Sequence, residues 1–358
     1  MPHLVIMAAG TGGHIMPGLA VAREMMGRGW TISWLGTRSG MENRLVPPSG
    51  IPMDTLGFNG LRGKGPLHAL KGGVRLLKAL WDSAFTLRRR QADAVLGMGG
   101  YICLPGGLMA RLLGKPLVLV NADAALLLSN KALLPMADRV AFGFEGGSQG
   151  IGKAVVTGNP VRPEIAALPE PQVRFTGRSG PLRLLVVGGS LGAQVLNETV
   201  PQALALIDPA QRPLVVHQTG TKQLESVRQR YAALGLEGVQ VQPFIEDMAA
   251  ELSACDLVLC RAGAITVSEL CAAGVPSLLV PLVVSTTSHQ RDNARMMAER
   301  GAALHLEQAT LSPQALAEAL QGLSRPALVD MAVRARAMSR PQAAARVADE
   351  IERLVVRP

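Results

Sequence analysis

Aromatic residues are scarce in this chain of 358 residues, where Phe, Trp and Tyr together make up 3%. Proteins that bind single-stranded nucleic acid usually stack bases on aromatic side chains, so this composition disfavours that class. The four cysteines form no Cys-x-x-Cys pair and have no histidine at zinc-finger spacing. We therefore interpret the cysteines as buried apolar residues rather than metal ligands.

Long hydrophobic runs are also missing. The stretch 275–284 is interrupted by Pro276 and Pro281 and is much shorter than the ~20 residues that span a bilayer. The chain begins directly with the apolar run after His3, without the basic and apolar regions of a secretory signal. We expect a cytoplasmic protein that crosses no membrane.

Acidic residues are scarce in one half of the chain only. Residues 1–162 carry 18 Lys and Arg against 8 Asp and Glu, a net charge of +10, whereas residues 163–358 have a net charge of −1. Nucleic acid, an anionic membrane surface or an anionic substrate would each attract a basic half. The low aromatic content places nucleic acid last among the three.

The segment 61–90 holds eight of these basic residues and one acid, Asp82, interleaved with leucines, Trp81 and Phe85. Such a basic amphipathic segment fits the surface of an anionic membrane, where each Lys or Arg contributes ~1 kcal/mol. An ordinary helix that covers a sheet has the same apolar stripe. The pattern alone leaves both interpretations open.

The length predicts two domains of ~150 residues each, and 48% hydrophobic residues supply packed cores. Short apolar runs alternate with amphipathic segments, which predicts parallel strands buried on both faces by helices. The predicted strands are 4–8, 31–35, 94–98 and 117–120, and, after a non-periodic linker at 163–180, 182–187, 214–217, 239–243, 257–260 and 277–280. Helices are predicted at 17–28 with Pro17 as the first residue, at 102–113, at 193–200 with a restart at Pro201, and from Pro313 after the capping residue Ser312.

The predicted fold class is therefore α/β, with two doubly wound, Rossmann-like domains. We place their boundaries at 1–162 and 163–339, and expect the C-terminal amphipathic helix in 340–358 to pack back on the first domain.

Two glycine-rich turns end predicted strands of the first domain, Gly10-Thr11-Gly12-Gly13-His14 and Gly97-Met98-Gly99-Gly100-Tyr101. Free N–H groups and the helix dipole at such turns hold anions such as phosphate. The first turn is neither a dinucleotide fingerprint, which would need Gly at Ile15, nor a P-loop, and a tight turn without a ligand is the alternative. His14 lies where open α/β sheets bind ligands and is a candidate general base, although a capping histidine is the plainer interpretation.

The second domain repeats this pattern at Gly188-Gly189-Ser190-Leu191-Gly192, where Ser190 adds a hydroxyl group, and again at 261–269. Glu269 would accept hydrogen bonds from a ribose diol, or else is a carboxylate that favours a helix N-terminus. Arg162, near the domain boundary, would clamp a phosphate with two hydrogen bonds or form an interdomain salt bridge.

Taken in order, these motifs resemble the MurG family, bacterial transferases with a two-domain GT-B fold that add N-acetylglucosamine from UDP-N-acetylglucosamine to lipid I. The resemblance covers almost the whole chain and implies two parallel sheets that face each other across a cleft. Besides the turns above, it rests on Asn59-Gly60-Leu61-Arg62-Gly63-Lys64-Gly65, Gly158-Asn159-Pro160-Val161-Arg162, Phe244-Ile245-Glu246-Asp247-Met248, Cys260-Arg261-Ala262-Gly263-Ala264, Thr266-Val267-Ser268-Glu269, and His289-Gln290 before Asn293-Ala294.

The resemblance implies that the second domain binds the donor, with Ile245 at the uracil, Glu269 at the ribose and Gln290 at the sugar. The other donor contacts that it implies are Thr11, Gly12, Gly13, Arg162, Ser190, Ala264, Ile265, Thr266, Val267 and Ser268. In the first domain His14 would be the base, and the acceptor diphosphate would lie on Thr11, Gly12, Gly13, Gly99, Gly100 and Tyr101.

The reaction implied by the resemblance is an inverting transfer that forms a β-1,4 link and gives lipid II in peptidoglycan synthesis, and hence serves cell shape and division. It needs no metal or cofactor, and the chain contains no Asp-x-Asp motif. The expected partners are UDP-N-acetylglucosamine, lipid I and, through the segment 61–90, an anionic membrane surface, but no nucleic acid. The expected location is the cytoplasmic face of the bacterial inner membrane, as a peripheral protein.

The chain departs from the family at Val120-Asn121-Ala122-Asp123, where the family commonly reads His-Glu-Gln-Asn, and again at 282–288. The missing His and Glu shift weight to His14 as the base, and whether Asn121 or Asp123 replaces the lost contacts is left open. Two other functions stay open. A nucleotide-sugar transferase or epimerase unrelated to lipid I would bind the donor but no vesicles, and a basic nucleic-acid-binding protein would show binding that weakens steeply with salt.

Overall fold

The computed structural model describes residues 1–10, 12–58, 66–189, 192–282 and 289–355, with only the backbone described for 66–71. The chain divides by its internal contacts into two compact units. The first unit comprises Met1–Pro160 with Gln342–Pro358, and the second comprises Val161–Pro341.

The first unit contains a sheet of seven parallel strands in the order β3-β2-β1-β4-β5-β6-β7. Its strands are β1 (His3–Met7), β2 (Thr31–Thr37), β3 (Met53–Leu56), β4 (Ala94–Gly97), β5 (Leu117–Asn121), β6 (Arg139–Phe142) and β7 (Ala154–Val156). Its helices up to Pro160 are α1 (Gly12–Gly27), α2 (Glu42–Leu45), α3 (Pro66–Arg89), α4 (Cys103–Leu112) and α5 (Leu128–Leu133).

Strand β1 shows why continuous apolar runs form the centre of this sheet. Alternate side chains of a strand point to opposite faces, so Leu4 and Ile6 enter one buried cluster and Val5 and Met7 enter another. Both faces of the strand are therefore covered, and both need apolar residues, as the sequence pattern predicts.

The second unit contains six parallel strands in the order β10-β9-β8-β11-β12-β13. Its strands are β8 (Arg183–Val187), β9 (Leu214–Gln218), β10 (Gln240–Gln242), β11 (Leu257–Cys260), β12 (Ser277–Leu279) and β13 (Ala303–His305). Its helices are α6 (Pro163–Ala166), α7 (Pro171–Phe175), α8 (Gln194–Ala205), α9 (Leu224–Ala233), α10 (Met248–Ala254), α11 (Ala264–Ala273), α12 (His289–Glu299), α13 (Pro313–Gln321) and α14 (Arg325–Ala337).

The last helix, α15 (Ala343–Val355), returns to the first unit. Its buried residues Val347 and Ile351 enter the same apolar cluster as β1. Arg28, just after α1, pairs through Nη1 with Asp349 and Glu352, at 2.7 Å each. Apolar burial and this charged cluster together hold α15 beside α1.

The predicted fold class is confirmed: both units are α/β with parallel sheets. Each of the nine predicted strands is present, and Ser312 caps α13 by accepting a hydrogen bond from the Ala315 amide. Four strands were not predicted: β3, β6, β7 and β13 have three or four residues each. Length alone does not explain the difference, because β4, β10, β11 and β12 are equally short and were predicted.

Two proline assignments were wrong. Helix α1 begins at Gly12, so Pro17 lies inside it rather than at its start. Helix α8 likewise continues through Pro201 without a restart. An internal proline removes one helical hydrogen bond, but both rings are buried, so their apolar burial offsets part of that loss.

The predicted linker at 163–180 is in fact folded against the second unit, where it forms α6 and α7. Arg174, 9% exposed, anchors it. Its guanidinium donates to the carbonyls of Leu252, Ala273 and Gly274 at 3.1, 2.6 and 2.6 Å. The last two end α11, where a cation favours the negative end of the helix dipole. Side chain to carbonyl bonds of this kind leave no periodic signal in the sequence.

The basic segment 61–90 lies in α3 from Pro66 onward, whereas 61–65 are outside the described residues. Among the helices that the structure describes, none combines the length and apolarity required to span a membrane.

Candidate functional site

The strand order of the first unit reverses between β1 and β4, because β2 and β3 lie on one side and β5 to β7 on the other. Open α/β sheets bind ligands in the crevice at such a reversal, beyond the carboxyl ends of the strands. The turns that follow β1 and β4 are the two glycine-rich turns of the sequence. The fold therefore brings both predicted acceptor turns to one point on the sheet edge.

His14 lies in the first turn of α1, with Gly12 and exposed Gly13 before it. Its ring lies directly against the backbone of the second turn: a Cβ atom added to Gly99 would be 2.8 Å from Nδ1. Gly99 and Gly100 have φ values of +109° and +88°, which residues with a Cβ atom rarely adopt. Glycine is thus required at Gly99 both for its backbone conformation and for the space that the imidazole occupies.

Gly10, which precedes the α1 turn, is held by a buried carboxylate that the sequence reasoning missed. Glu42 Oε2 accepts the Gly10 N–H at 3.2 Å, and Oε1 accepts the N–H and hydroxyl of Thr37 at 2.8 and 2.5 Å. Burial alone would raise the pKa of Glu42, but these hydrogen bonds outweigh it and the pKa is lowered. A Cβ on Gly40 would overlap this carboxylate. The sequence signal for this buried carboxylate was the glycine-containing segment Gly36-Thr37-Arg38-Ser39-Gly40, which directly precedes Met41 and Glu42.

Tyr101 completes this edge of the first unit. Its ring is 37% exposed and packs edge-on against Phe58, with 6.1 Å between ring centroids. The predicted acceptor residues Gly12, Gly13, Gly99, Gly100 and Tyr101 therefore lie on the turns after β1 and β4, together with His14. Thr11 lies outside the described residues.

The structure distinguishes the two residues left open at 120–123. Asn121 is fully buried and holds its own loop: its Nδ2 donates to the carbonyls of Asp123 and Ala125 at 2.9 and 3.0 Å, and its Oδ1 accepts the Leu127 N–H at 2.9 Å. Asn121 is therefore a structural residue. Asp123 is partly exposed after β5, at the same edge of the sheet.

In the second unit the strand order reverses between β8 and β11, and a cavity of about 650 Å³ opens there. The start of α8 lines it through Gly192, Ala193 and Gln194, and the start of α11 lines it through Gly263 and Thr266. Unpaired N–H groups and the positive ends of the helix dipoles meet at such helix starts. The cavity is suited to an anion with two phosphate groups.

Two further side chains shape the cavity. Arg261 lines it and is fixed by hydrogen bonds from Nη1 to the Val280 carbonyl at 3.1 Å and to Gln308 Oε1 at 2.6 Å. Gln290, at the start of α12, also lines it, and its Oε1 accepts the Leu282 N–H at 2.9 Å. The Gln290 amide nitrogen is thereby oriented as a donor.

Arg162 and Glu269 bind each other. Arg162 Nε lies 2.7 Å from Glu269 Oε1 and Nη2 lies 3.0 Å from Oε2, a bidentate pair inside the second unit. Hydrogen bonding to Glu269 raises the pKa of Arg162, and burial, which lowers that pKa, has the smaller effect. Arg162, which the predicted boundary placed in the first domain, belongs by its contacts to the second unit, so this salt bridge lies within one unit. Each carboxylate oxygen has a second lone pair, so Glu269 keeps acceptor capacity for a ribose diol.

The remaining predicted donor residues fall into two groups. Ala264, Ile265 and Thr266 form the first turn of α11, and Thr266 reaches the cavity. Ile245, Val267 and Ser268 are buried, and Ser268 Oγ donates to the Ala264 carbonyl at 2.8 Å. Ser190 is not among the described residues. The sequence reasoning missed Gln194, Glu198 and Gln308, which line the cavity; the position of Gln194 at the predicted helix start was the available signal.

Known proteins resemble the chain over its full length. Residues 4–142 match the glycosyltransferase family 28 N-terminal domain and residues 183–354 match the family 28 C-terminal domain. A protein of Methylibium petroleiphilum is 70% identical, over 99% of this chain and 98% of its own length, and one of Chromobacterium violaceum is 61% identical, over 98% of each. Both are named UDP-N-acetylglucosamine–N-acetylmuramyl-(pentapeptide) pyrophosphoryl-undecaprenol N-acetylglucosamine transferase.

Among solved structures, MurG of Acinetobacter baumannii matches with a TM-score of 0.86 and 37% identity, over 99% of this chain and all of the other. The order of glycine-rich turns, the two parallel sheets and the full-length relatives agree. The chain belongs to glycosyltransferase family 28 and, within it, to the MurG transferases.

Proposed function

We propose that this protein transfers N-acetylglucosamine from UDP-N-acetylglucosamine to lipid I, with inversion, to form the β-1,4 link of lipid II in peptidoglycan synthesis. The observation that carries the proposal is the cavity of the second unit, where two helix starts and Arg261 converge. A nucleoside diphosphate is the ligand whose charge these groups complement. We infer the identities of the sugar and of the acceptor from the membership of the chain in the MurG transferases.

The donor would bind with its diphosphate at the starts of α8 and α11. Glu269, oriented by Arg162, would accept the ribose hydroxyls, and the Gln290 amide would donate to the sugar. Helix N–H groups already aimed at the diphosphate stabilise the charge that develops on departing UDP, because they need no reorganisation during the reaction. The proposed donor site also includes Arg162, Thr266, Ala264 and Ile265.

The acceptor would bind to the first unit, its diphosphate on Gly12, Gly13, Gly99, Gly100 and Tyr101. His14 accepts the proton of the acceptor hydroxyl as that oxygen attacks the anomeric carbon, and the bond to UDP breaks in the same displacement. A positioned general base contributes about 100- to 10,000-fold to such a rate. The partly exposed imidazole in the first turn of α1, just after β1, supports this role.

Helix α3 supports attachment at an anionic membrane surface. Val74, Leu77, Trp81 and Phe85 follow the helical period on one face and are all exposed, Leu77 by 68% and Trp81 by 76%. An ordinary helix that covers a sheet would bury its apolar stripe, so this exposure favours the membrane interpretation. We place the protein at the cytoplasmic face of the inner membrane, where lipid I would be presented beside the first unit.

The test of the reaction is transfer of labelled N-acetylglucosamine to a lipid I analogue by the purified protein, compared with His14→Ala. We expect product from the native protein and a loss of at least about 100-fold in kcat for the variant. Absence of product while UDP still binds would overturn the lipid I reaction, and near-normal turnover of His14→Ala would overturn the base assignment.

The test of the membrane surface is sedimentation with anionic phospholipid vesicles. The double variant Trp81→Ser with Phe85→Ser should lose vesicle binding, whereas Leu214→Ser, a matched control that is 56% exposed in the second unit, should bind as the native protein does. Equal binding by all three proteins would refute the role of α3. Transfer without any vesicle binding would favour the soluble-transferase alternative.

A further inference from the structure

A chain of buried polar side chains runs beneath the donor cavity and takes no part in the mechanism described above. It joins Tyr231 on α9, His217 on β9 and Asn197 on α8, each at most 3% exposed. The Tyr231 hydroxyl lies 2.8 Å from His217 Nδ1, and His217 Nε2 lies 3.0 Å from Asn197 Oδ1. Asn197 Nδ2 then donates to the Thr219 carbonyl at 3.0 Å and to Gln223 Oε1 at 2.7 Å.

The chemistry of these groups fixes the direction of every hydrogen bond. The Thr219 carbonyl only accepts, so the Asn197 atom that faces it is the NH₂ group, and Oδ1 faces His217. His217 Nε2 must then carry the proton. Burial lowers the pKa of His217 to about 4, so the imidazole is neutral and its Nδ1 accepts a hydrogen bond from the Tyr231 hydroxyl group. The chain of donors runs from Tyr231 through His217 and Asn197 to the Thr219 carbonyl.

The last acceptor of this hydrogen-bonded series, the Thr219 carbonyl, lies next to a residue that lines the cavity. Gly192, which lines the cavity, has a φ of +78°, and a Cβ added to it would be only 2.1 Å from the Thr219 carbonyl oxygen. The β8–α8 turn therefore rests on that carbonyl, while the neighbouring Gly188 N–H donates to the Gln218 carbonyl at 3.2 Å. A shift of the Thr219 carbonyl would move Gly192 and the N–H groups at the start of α8.

We propose that His217 and Asn197 are positioning residues for the donor: together they fix the Thr219 carbonyl on which Gly192 rests, and thereby the N–H groups that receive the diphosphate. This inference rests on the proposed function, because it takes the ligand of the cavity to be a nucleoside diphosphate. Neither side chain touches the ligand. Their effect is on donor affinity and not on the acceptor or on proton transfer.

The variant that tests the proposal is Asn197→Asp. It has the same shape, but its carboxylate cannot donate to the Thr219 carbonyl and repels it. We expect UDP affinity, measured by titration calorimetry, to fall by about tenfold or more, as for loss of a buried hydrogen bond with an unsatisfied acceptor. The KM for UDP-N-acetylglucosamine should rise in parallel, while the KM for the lipid I analogue stays unchanged.

Two further variants keep the test informative if Asn197→Asp folds poorly. Tyr231→Phe removes only the first donor and should weaken UDP binding about two- to fivefold. Thr199→Ala is the matched control, because Thr199 is buried on the same helix and is not part of the chain of donors; it should lower the melting temperature without changing UDP affinity.

Unchanged UDP affinity in folded Asn197→Asp or Tyr231→Phe would overturn the positioning role, as would an equal loss in Thr199→Ala. Calorimetry with UDP needs no acceptor, so the inference is tested separately from the reaction. Failure of the native protein to transfer sugar to lipid I would count against the proposed function alone.

Discussion

The contact between Gly99 and His14 gives the sharpest test of the proposed base. In Gly99→Ala the new Cβ would lie 2.8 Å from His14 Nδ1 and 2.9 Å from Cε1. Non-bonded heavy atoms settle at about 3.5 to 4.0 Å, so the ring must move by roughly 0.7 Å. Misplacement of a catalytic group by about 1 Å costs on the order of 100-fold in rate, and we expect kcat to fall by about 10- to 100-fold.

The substitution also strains the backbone, because Gly99 has a φ of +109°. This strain costs about 1–3 kcal/mol of stability and needs a control that carries strain without the contact. Gly114→Ala supplies it: φ is +66°, the position ends α4, and no described atom lies within 4 Å of the added Cβ. Both variants should melt at lower temperature, but Gly114→Ala should keep its kcat.

The assay is transfer of labelled sugar to the lipid I analogue at saturating donor, beside thermal unfolding and UDP titration. The proposed UDP cavity lies in the second unit and both positions lie in the first, so neither variant should alter UDP affinity unless the predicted donor contacts at Gly12 and Gly13 are made. A folded Gly99→Ala protein whose kcat is within twofold of the native value would refute the reasoning. The position of the imidazole would then not matter for catalysis, and His14 would not be the base.

Three other substitutions, one of them a control, test how the first unit is built. Glu42→Gln places an NH₂ group opposite the Gly10 N–H, which should raise the KM for the lipid I analogue and cost about 1–3 kcal/mol in denaturant unfolding. Because the pKa of Glu42 is lowered on folding, its stabilisation is complete above the unfolded value of 4.5 and is lost as pH falls through the folded pKa; the variant should lack this acid-side loss. Gly18→Ala puts a Cβ 2.8 Å from Trp34 and should cost about 1–3 kcal/mol by overpacking, whereas Gly73→Ala, in a helix with no described atom within 4 Å, should stabilise by roughly 0.5–1 kcal/mol. Equal effects of the two alanines would contradict the packing argument.

The central strands could be predicted because burial on both faces leaves continuous apolar runs. Edge strands were predicted less well: β10 was predicted, whereas β3, β7 and β13 were not, and β7 has only half-buried residues and β13 a single buried one. The start of α1 was misplaced because proline is favoured at the first turn of a helix. That rule was outweighed at Pro17 by burial of the ring.

Contacts within the sites depend on strand order, which the sequence pattern does not contain. His14 was identified from its motif, but its contact with Gly99 exists because β1 and β4 are neighbours in the sheet, where Leu4 pairs with Ala94, 90 positions away in the sequence. His217 and Asn197 follow ordinary strand and helix positions, and only the fold makes them partners. Residues that hold a site are harder to predict than residues that line it, since their partners are distant in sequence.

The glycine-rich turn before α1, at Gly10, and the one before α8, at Gly192, look alike in sequence, but groups of different charge support them. Gly192 rests on a carbonyl held by neutral side chains, which leaves positive potential at the start of α8 for an anion, although the Glu198 carboxylate also lines the cavity. Gly10 donates its N–H to the carboxylate of Glu42, a fixed negative charge that opposes anion binding beside α1. An acceptor diphosphate bound there, as proposed, would need additional positive charge, and residues 1–162 carry an excess of basic residues.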